Sequence, residues 1–250
     1  MEFFVKQSDF LRELQLAQGV VEKKSTIPVL SHVLLQASKF SLQLTSTDLE
    51  LACRSSCPAK VRADGAVAVH ARRLLEIVRS VGDSEIRFRL QENNWLQITC
   101  GRSSFKLAGL EGDKFPAMPA VPASRATIPG KTLSGLIERT EFVVGNEENR
   151  YTINGALLIL KPNSATIVAT DGHRLALAEC DQQIVGLEKE TRLLIPKRAL
   201  NQARSLVSEA GEAGIVGTPV RFQPMIARRK NDDKTDFIEA TRPQNISGQL

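Results

Sequence analysis

The chain has 250 residues, 42% of them hydrophobic and 5% aromatic, with a formal net charge of +5 and a pI near 9.1. That is enough apolar material for one or two folded cores and excludes a disordered or collagen-like chain. No apolar run nears the roughly 18 to 20 residues that a bilayer requires, and the amino terminus MEFFVKQSDF lacks a basic-then-apolar leader, so a cytoplasmic protein is expected.

The first element is a short strand-like stretch running into a helix, FFVKQSDFLRELQLAQGV. Phe10, Leu11, Leu14, Leu16 and Val20 fall largely three and four apart beneath an Asp9 or Ser8 cap. Period-two strands follow in LLQASKFSLQLTSTDLELAC, Leu34 to Cys53. A second helix is predicted over VHARRLLEIVRSV, Val69 to Val81. Three alternating strands then cover EIRFRLQENNWLQITCGRSSFKLAGL, with Leu90, Trp95, Leu96, Ile98, Phe105 and Leu107 as apolar positions. Pro116, Pro119, Pro122 and Pro129 mark a linker, so the expected domains are residues 1–120 and 121–250.

The second half repeats the first. ATIPGKTLSGLIERTEFVV places Leu133, Leu136, Ile137 and Phe142 behind Thr132. LLILKPNSATIVATDGHRLALA, Leu157 to Ala178, matches Leu34 to Cys53 at an offset of 123: Leu34 and Leu35 fall on Leu157 and Leu158, Leu44 on Ile167, and Thr47-Asp48 on Thr170-Asp171. LIPKRALNQARSLV, Leu194 to Val207, matches the earlier basic helix at an offset of 126. A unit of strands, helix, strands, helix, strands predicts a tandem α+β fold with two helices per domain packed on antiparallel sheets. Past Val207 the repeat breaks. Val220 to Phe222 is one strand-like piece, the chain reads as irregular from about residue 223, and two strands with an apolar closing segment are missing. Such an end is either a surface tail or a truncated or frame-altered terminus.

Motifs for catalysis are weak. Gly130-Lys131-Thr132 has no Gly four residues earlier, so it cannot form a phosphate-cradling loop, and no G-x-S-x-G or H-E-x-x-H occurs. Asp171, His173 and Arg174 crowd together, but Asp171-Gly172 in a strand-turn-strand accounts for the same letters. Cys53, Cys57, Cys100 and Cys180 read as reduced thiols, and His32, His70 and His173 stand apart, so no catalytic residue, metal or cofactor is expected. Basic residues on the helices, Arg12, Arg72, Arg73, Arg79, Arg139, Lys197, Arg198 and Arg204, suit phosphate contact without base reading. They serve equally as solubility devices, diluted by Glu13, Glu76, Glu138 and Glu141.

Taken together, FFVKQSDFLRELQLAQGVVEKKSTIPVLSHVLLQ, VHARRLLEIVRSV, GRSSFKL with DKFPAMP, RYTINGALL, ATDGHRLALA and LIPKRAL resemble the beta sliding clamp family, the processivity subunit of bacterial DNA polymerase III, over about residues 1–207. The resemblance implies tandem DNA-clamp domains, three per subunit and six per ring, with helices lining a channel for double-stranded DNA. It implies DNA-facing positions at Lys24, Arg73, Arg150, Tyr151, Lys197 and Arg198. A peptide pocket would have its second-domain wall at Ile153, Thr170, Gly172, His173, Arg174 and Leu175, and would serve the DNA polymerase III catalytic subunit, the clamp loader and other proteins with a clamp-binding motif. A subunit interface for self-association maps to Arg102, Ser104, Phe105 and Leu107, with Ser104 where the family commonly has Arg, and would expose an apolar sheet edge here. The implied role is that of an accessory subunit, not an enzyme. Because the family's third domain is absent from this sequence, a partner-binding module that does not encircle DNA is the alternative, and a ring of three two-domain chains is a further one.

Overall fold

Strand β1 (Glu2–Lys6) leads without a loop into helix α1 (Gln7–Val20). A computed structural model of the protein describes residues 1–21, 27–49, 51–118, 126–145, 155–207, 212–216, 226–231 and 234–240. The chain divides into two compact units, one of Met1–Asp48 and Ala52–Pro119, the other of Leu49–Leu51 and Ala120–Leu250.

In the first unit, β1 and α1 are followed by β2 (His32–Ser38), β3 (Ser41–Thr47), β4 (Leu51–Pro58), β5 (Lys60–Ala63) and β6 (Gly65–His70). Helix α2 (Ala71–Ser80) and strands β7 (Glu85–Leu90), β8 (Trp95–Cys100) and β9 (Ser103–Glu111) complete it. The strands run in the order β4-β3-β2-β6-β9-β8-β7-β1-β5, antiparallel throughout. Strand β9 pairs with β8 over its first part and with β6 only at Gly109–Glu111, and so joins the two halves of the sheet.

Helices α1 and α2 pack together and bury their apolar sides in the core. Phe3 stacks on Phe88 at 4.8 Å and Phe10 meets Phe88 edge-on at 5.2 Å, which ties β1, α1 and β7 at one point. The expected Ser8 or Asp9 cap does not form. The helix starts earlier, after Lys6, and its first turn is held by tertiary contacts: Gln7 N–H donates to Ser84 O at 3.0 Å and Gln7 Nε2 to Val78 O at 2.9 Å. On α2, Leu74, Leu75 and Val78 are buried while Arg72, Arg73, Glu76 and Arg79 are exposed.

The second unit repeats the plan: β10 (Ala126–Pro129), α3 (Gly130–Glu138), a 3-10 turn at Glu141–Val143, β11 (Gly155–Lys161), β12 (Ser164–Thr170), β13 (Leu175–Asp181), β14 (Thr191–Pro196) and α4 (Lys197–Val207). Strands β13-β12-β11-β14 form one sheet, and α3 packs on α4. The fold is thus α+β, with a helix pair and antiparallel sheets in each unit. Thr132 is not the cap of α3, because the helix starts at Gly130 straight out of β10, as α1 starts out of β1. Phe142 is not a core residue of α3 either. Thr140 Oγ1 donates to Leu136 O at 2.9 Å, the helix has ended, and Phe142 is 61% exposed.

The reading of the end as irregular also needs correction. Strands β15 (Glu212–Val216), β16 (Ile226–Asn231) and β17 (Lys234–Ala240) form an antiparallel ladder, with β15 paired to β10. Val220 to Phe222 lies outside the described residues. An antiparallel ladder is made by backbone N–H and C=O groups, so it does not require the side-chain alternation that the sequence lacks here.

Glycine at position 155 has a steric reason. A Cβ there would stand 2.6 Å from Ile195 O, in the ladder of β11 with β14 that launches α4. Gly155→Ala is expected to destabilise the second unit by about 1–3 kcal/mol, seen as a lowered Tm. Phe88→Ala, which empties the shared aromatic contact, should cost about 3–5 kcal/mol in denaturant unfolding.

Candidate functional site

Two surfaces hold the residues that the sequence singles out. The first is the exposed side of the helices. Arg73 lies exposed on α2, where its neighbour Arg72 is paired to Glu76 at 3.1 Å. Arg198 is exposed in the first turn of α4. Lys197 is half-buried and its Nζ donates to Val144 O at 2.8 Å, so part of its hydrogen-bonding capacity serves the fold. Arg204 pairs with Glu141. Lys24, Arg150, Tyr151 and Ile153 lie outside the described residues.

The second surface is the turn between β12 and β13, and it is built by its own side chains. Asp171 Oδ1 accepts from the N–H groups of His173 and Arg174, both at 3.0 Å, and Oδ2 accepts from Arg174 Nε at 2.9 Å. Thr170 Oγ1 accepts from Gly172 N–H at 3.1 Å and donates to Arg174 O at 2.8 Å. Gly172 takes φ +89°, a conformation that penalises any Cβ. Asp171 therefore holds a turn rather than serving a catalytic histidine, and His173 is exposed. The N–H of His173, followed by the guanidinium and N–H of Arg174, holds the Asp171 carboxyl down to about 2.

Beside the turn stands an apolar surface. Leu175 is 65% exposed and Leu177 60%, one strand period apart on β13, which pairs only with β12 among the described residues. Arg174 reaches back to the 3-10 turn: its Nη2 donates to Phe142 O at 3.3 Å and its guanidinium lies 5.7 Å from the Phe142 ring centre. The same short turn receives Lys197 and Arg204 from α4 through Val144 and Glu141. Phe142 and Leu177 are residues that sequence reasoning missed. Phe142 did carry a signal, because it stands five residues after Ile137 and so falls off the three-and-four spacing of the helix core; Leu177 was legible as the residue one strand period after Leu175.

The expected interface residues are divided by the structure. Arg102 and Ser104 are exposed and Phe105 is half-buried, whereas Leu107 is buried among the core residues and is not an exposed edge residue. The cause is the strand period, which turns position 107 inward between exposed Lys106 and Ala108. Among the described residues no group of three or more His, Cys, Asp or Glu is placed to hold a metal ion, and no helix is long and apolar enough to cross a membrane.

A helix pair on antiparallel sheets, built twice, is an architecture shared with solved structures. Residues 1–119 match the DNA polymerase III beta subunit N-terminal domain and residues 127–225 its central domain. The chain belongs to the DNA polymerase III beta subunit family, the beta sliding clamps, a family of accessory rather than catalytic subunits. It is 38% identical over 219 residues to the beta sliding clamp of Pseudomonas aeruginosa and 34% identical over 218 residues to that of Chlamydia pneumoniae, covering 86% of this chain in each case. A crystal structure of the Pseudomonas aeruginosa beta subunit superposes with a TM-score of 0.83 at 33% identity, over 98% of this chain and 65% of that one. The chain spans about 59% of the length of those curated relatives.

The depressed Asp171 carboxyl fixes a pH dependence. Because its folded value lies below the ordinary 3.8, the ion pair stabilises the turn above that value and is lost as pH falls through about 2. Carboxyl 13C shifts of Asp171 should show a midpoint near 2. In Asp171→Asn, which loses the charge, the N–H groups of His173 and Arg174 should exchange faster with solvent at neutral pH.

Proposed function

We propose that this chain acts as a sliding-clamp subunit, which encircles duplex DNA and confers processivity on DNA polymerase III as an accessory component of the cytoplasmic replication machinery. The observation that carries the reading is the repeated unit, with α1 on α2 and α3 on α4 and exposed arginines on α2 and α4. Contacts from Arg73, Arg198 and Lys197, with Lys24, Arg150 and Tyr151, suit a phosphate backbone that slides, since cation and phosphate attract without reading bases. Charge reversal at Arg73 and Arg198 together is expected to weaken salt-sensitive binding to duplex DNA about 10-fold with unchanged Tm, and unchanged binding would overturn these contacts.

The turn at Thr170–Leu175 is the part of this function that recruits partners. Gly172 is held by Thr170 and His173 with Arg174 by Asp171, and Leu175 with Leu177 offers apolar area that a short peptide's anchors could bury. Thr170 extends that wall. Partners of this chemistry are the polymerase catalytic subunit, the clamp loader and other proteins carrying a clamp-binding motif. Leu175→Asp should reduce binding of a polymerase-derived peptide at least about 10-fold, read by fluorescence anisotropy.

Self-association places Arg102, Ser104 and Phe105 at a subunit interface, where the outer edge of Ser103–Ala108 carries no second strand among the described residues. Native mass spectrometry of this chain tests ring closure directly. The exposed Leu175 and Leu177 beside the Asp171-held turn support one second reading: a module that binds clamp partners through the second unit without encircling DNA. It predicts peptide binding with no salt-sensitive retention on circular DNA.

A further inference from the structure

The face of the first unit's sheet turned away from α1 and α2 carries most of the protein's excess charge. Residues that alternate with the buried positions of β1, β7, β8 and β9 are Glu2, Phe4 and Lys6; Glu85, Arg87 and Arg89; Trp95, Gln97 and Thr99; and Ser104, Lys106 and Ala108. Edge strand β5 adds Lys60 and Arg62 to the same side, where Lys60 reaches Glu85 at 2.6 Å and Arg62 lies 4.9 Å from the Phe4 ring centre. Six cations against two carboxylates leave +4 here, out of +5 for the chain. Both carboxylates are occupied, Glu2 by Arg87 at 2.8 Å and by Arg62, and Glu85 by Lys60. Arg89 and Lys106 have no acidic partner among the described residues.

The register aligns these groups. Arg89 faces Gln97 and Gln97 faces Lys106, a row that crosses three strands, about 10 Å at the usual spacing. Trp95, the chain's single Trp, is two residues from Gln97 on β8 and 43% exposed. Surplus positive charge calls for a polyanion. The exposed indole decides which one, because it offers a flat face that an unpaired base can cover, whereas a duplex keeps its bases stacked on each other and an acidic peptide has no such face. We infer that this outer sheet face binds single-stranded nucleic acid, with Arg89 and Lys106 on phosphates and Trp95 stacked on a base.

Trp95 is its own reporter. Addition of an oligothymidylate of about 20 nucleotides to the full chain should quench Trp95 emission and bind with a strong inverse dependence on salt. Arg89→Glu with Lys106→Glu should weaken binding at least about 10-fold without lowering Tm. If that variant fails to fold, Trp95→Ala, followed by anisotropy of a labelled oligonucleotide, should show the same loss. Charge reversal at Arg73 and Arg198 should leave this binding unchanged, which separates the sheet face from the helix face. The inference is overturned by absent quenching, by equal quenching from poly-glutamate or from duplex of the same length, or by binding that depends on Arg73 and Arg198 rather than on Arg89 and Lys106.

Discussion

Each unit rests on one burial: two adjacent helices lie with their apolar sides against antiparallel sheet, so that neither element is stable without the other. In the first unit the contact centres on Phe3, Phe10 and Phe88, one from a strand that precedes the helix, one from the helix and one from a strand that follows α2. This burial decides where charge can go. With Leu74, Leu75 and Val78 turned in, Arg72, Arg73 and Arg79 can only face out, and with Ile86, Phe88, Leu96 and Ile98 turned in, Arg87, Arg89 and Gln97 must stand on the far face of the sheet. The unit therefore has two polar faces of different kinds, one helical and one stranded.

The second unit uses the same constraint to hold its turn. Because β11, β12 and β14 are buried against the helices, the end of β12 is a fixed point, and Asp171 needs only local hydrogen bonds to set the shape that follows. The 3-10 turn at Glu141–Val143 then lies between two groups of bases. Arg174 approaches it from β13's turn, and Lys197 with Arg204 approach it from α4. Helix and turn thus share a support, which accounts for a lysine that is only half exposed on a helix otherwise suited to phosphates.

Much of the plan was legible because it is periodic. Helical spacing found α1, α2, α3 and α4, alternation found β3, β7 to β9 and β12, and the offset of 123 residues found the repeat. Errors came where tertiary partners replaced local ones. Gln7 is satisfied by Ser84 and Val78, so no capping residue was needed at the start of α1, and Phe142, five residues after Ile137 and off the helical spacing, lies beyond the end of α3. Strands β15 to β17 have little side-chain pattern to read, since their ladder depends on backbone groups.

The sequence by itself determined the tandem α+β plan, the family and the net charge of +5, because these depend on residue order, spacing and composition. Only the tertiary structure decided how that charge is shared out. It paired Glu2 and Glu85 with cations far away in the chain, turned Leu107 inward and left Leu175 and Leu177 exposed. Which face a strand residue takes depends on the register with neighbours many residues away, and a single slip of that register would reverse every side.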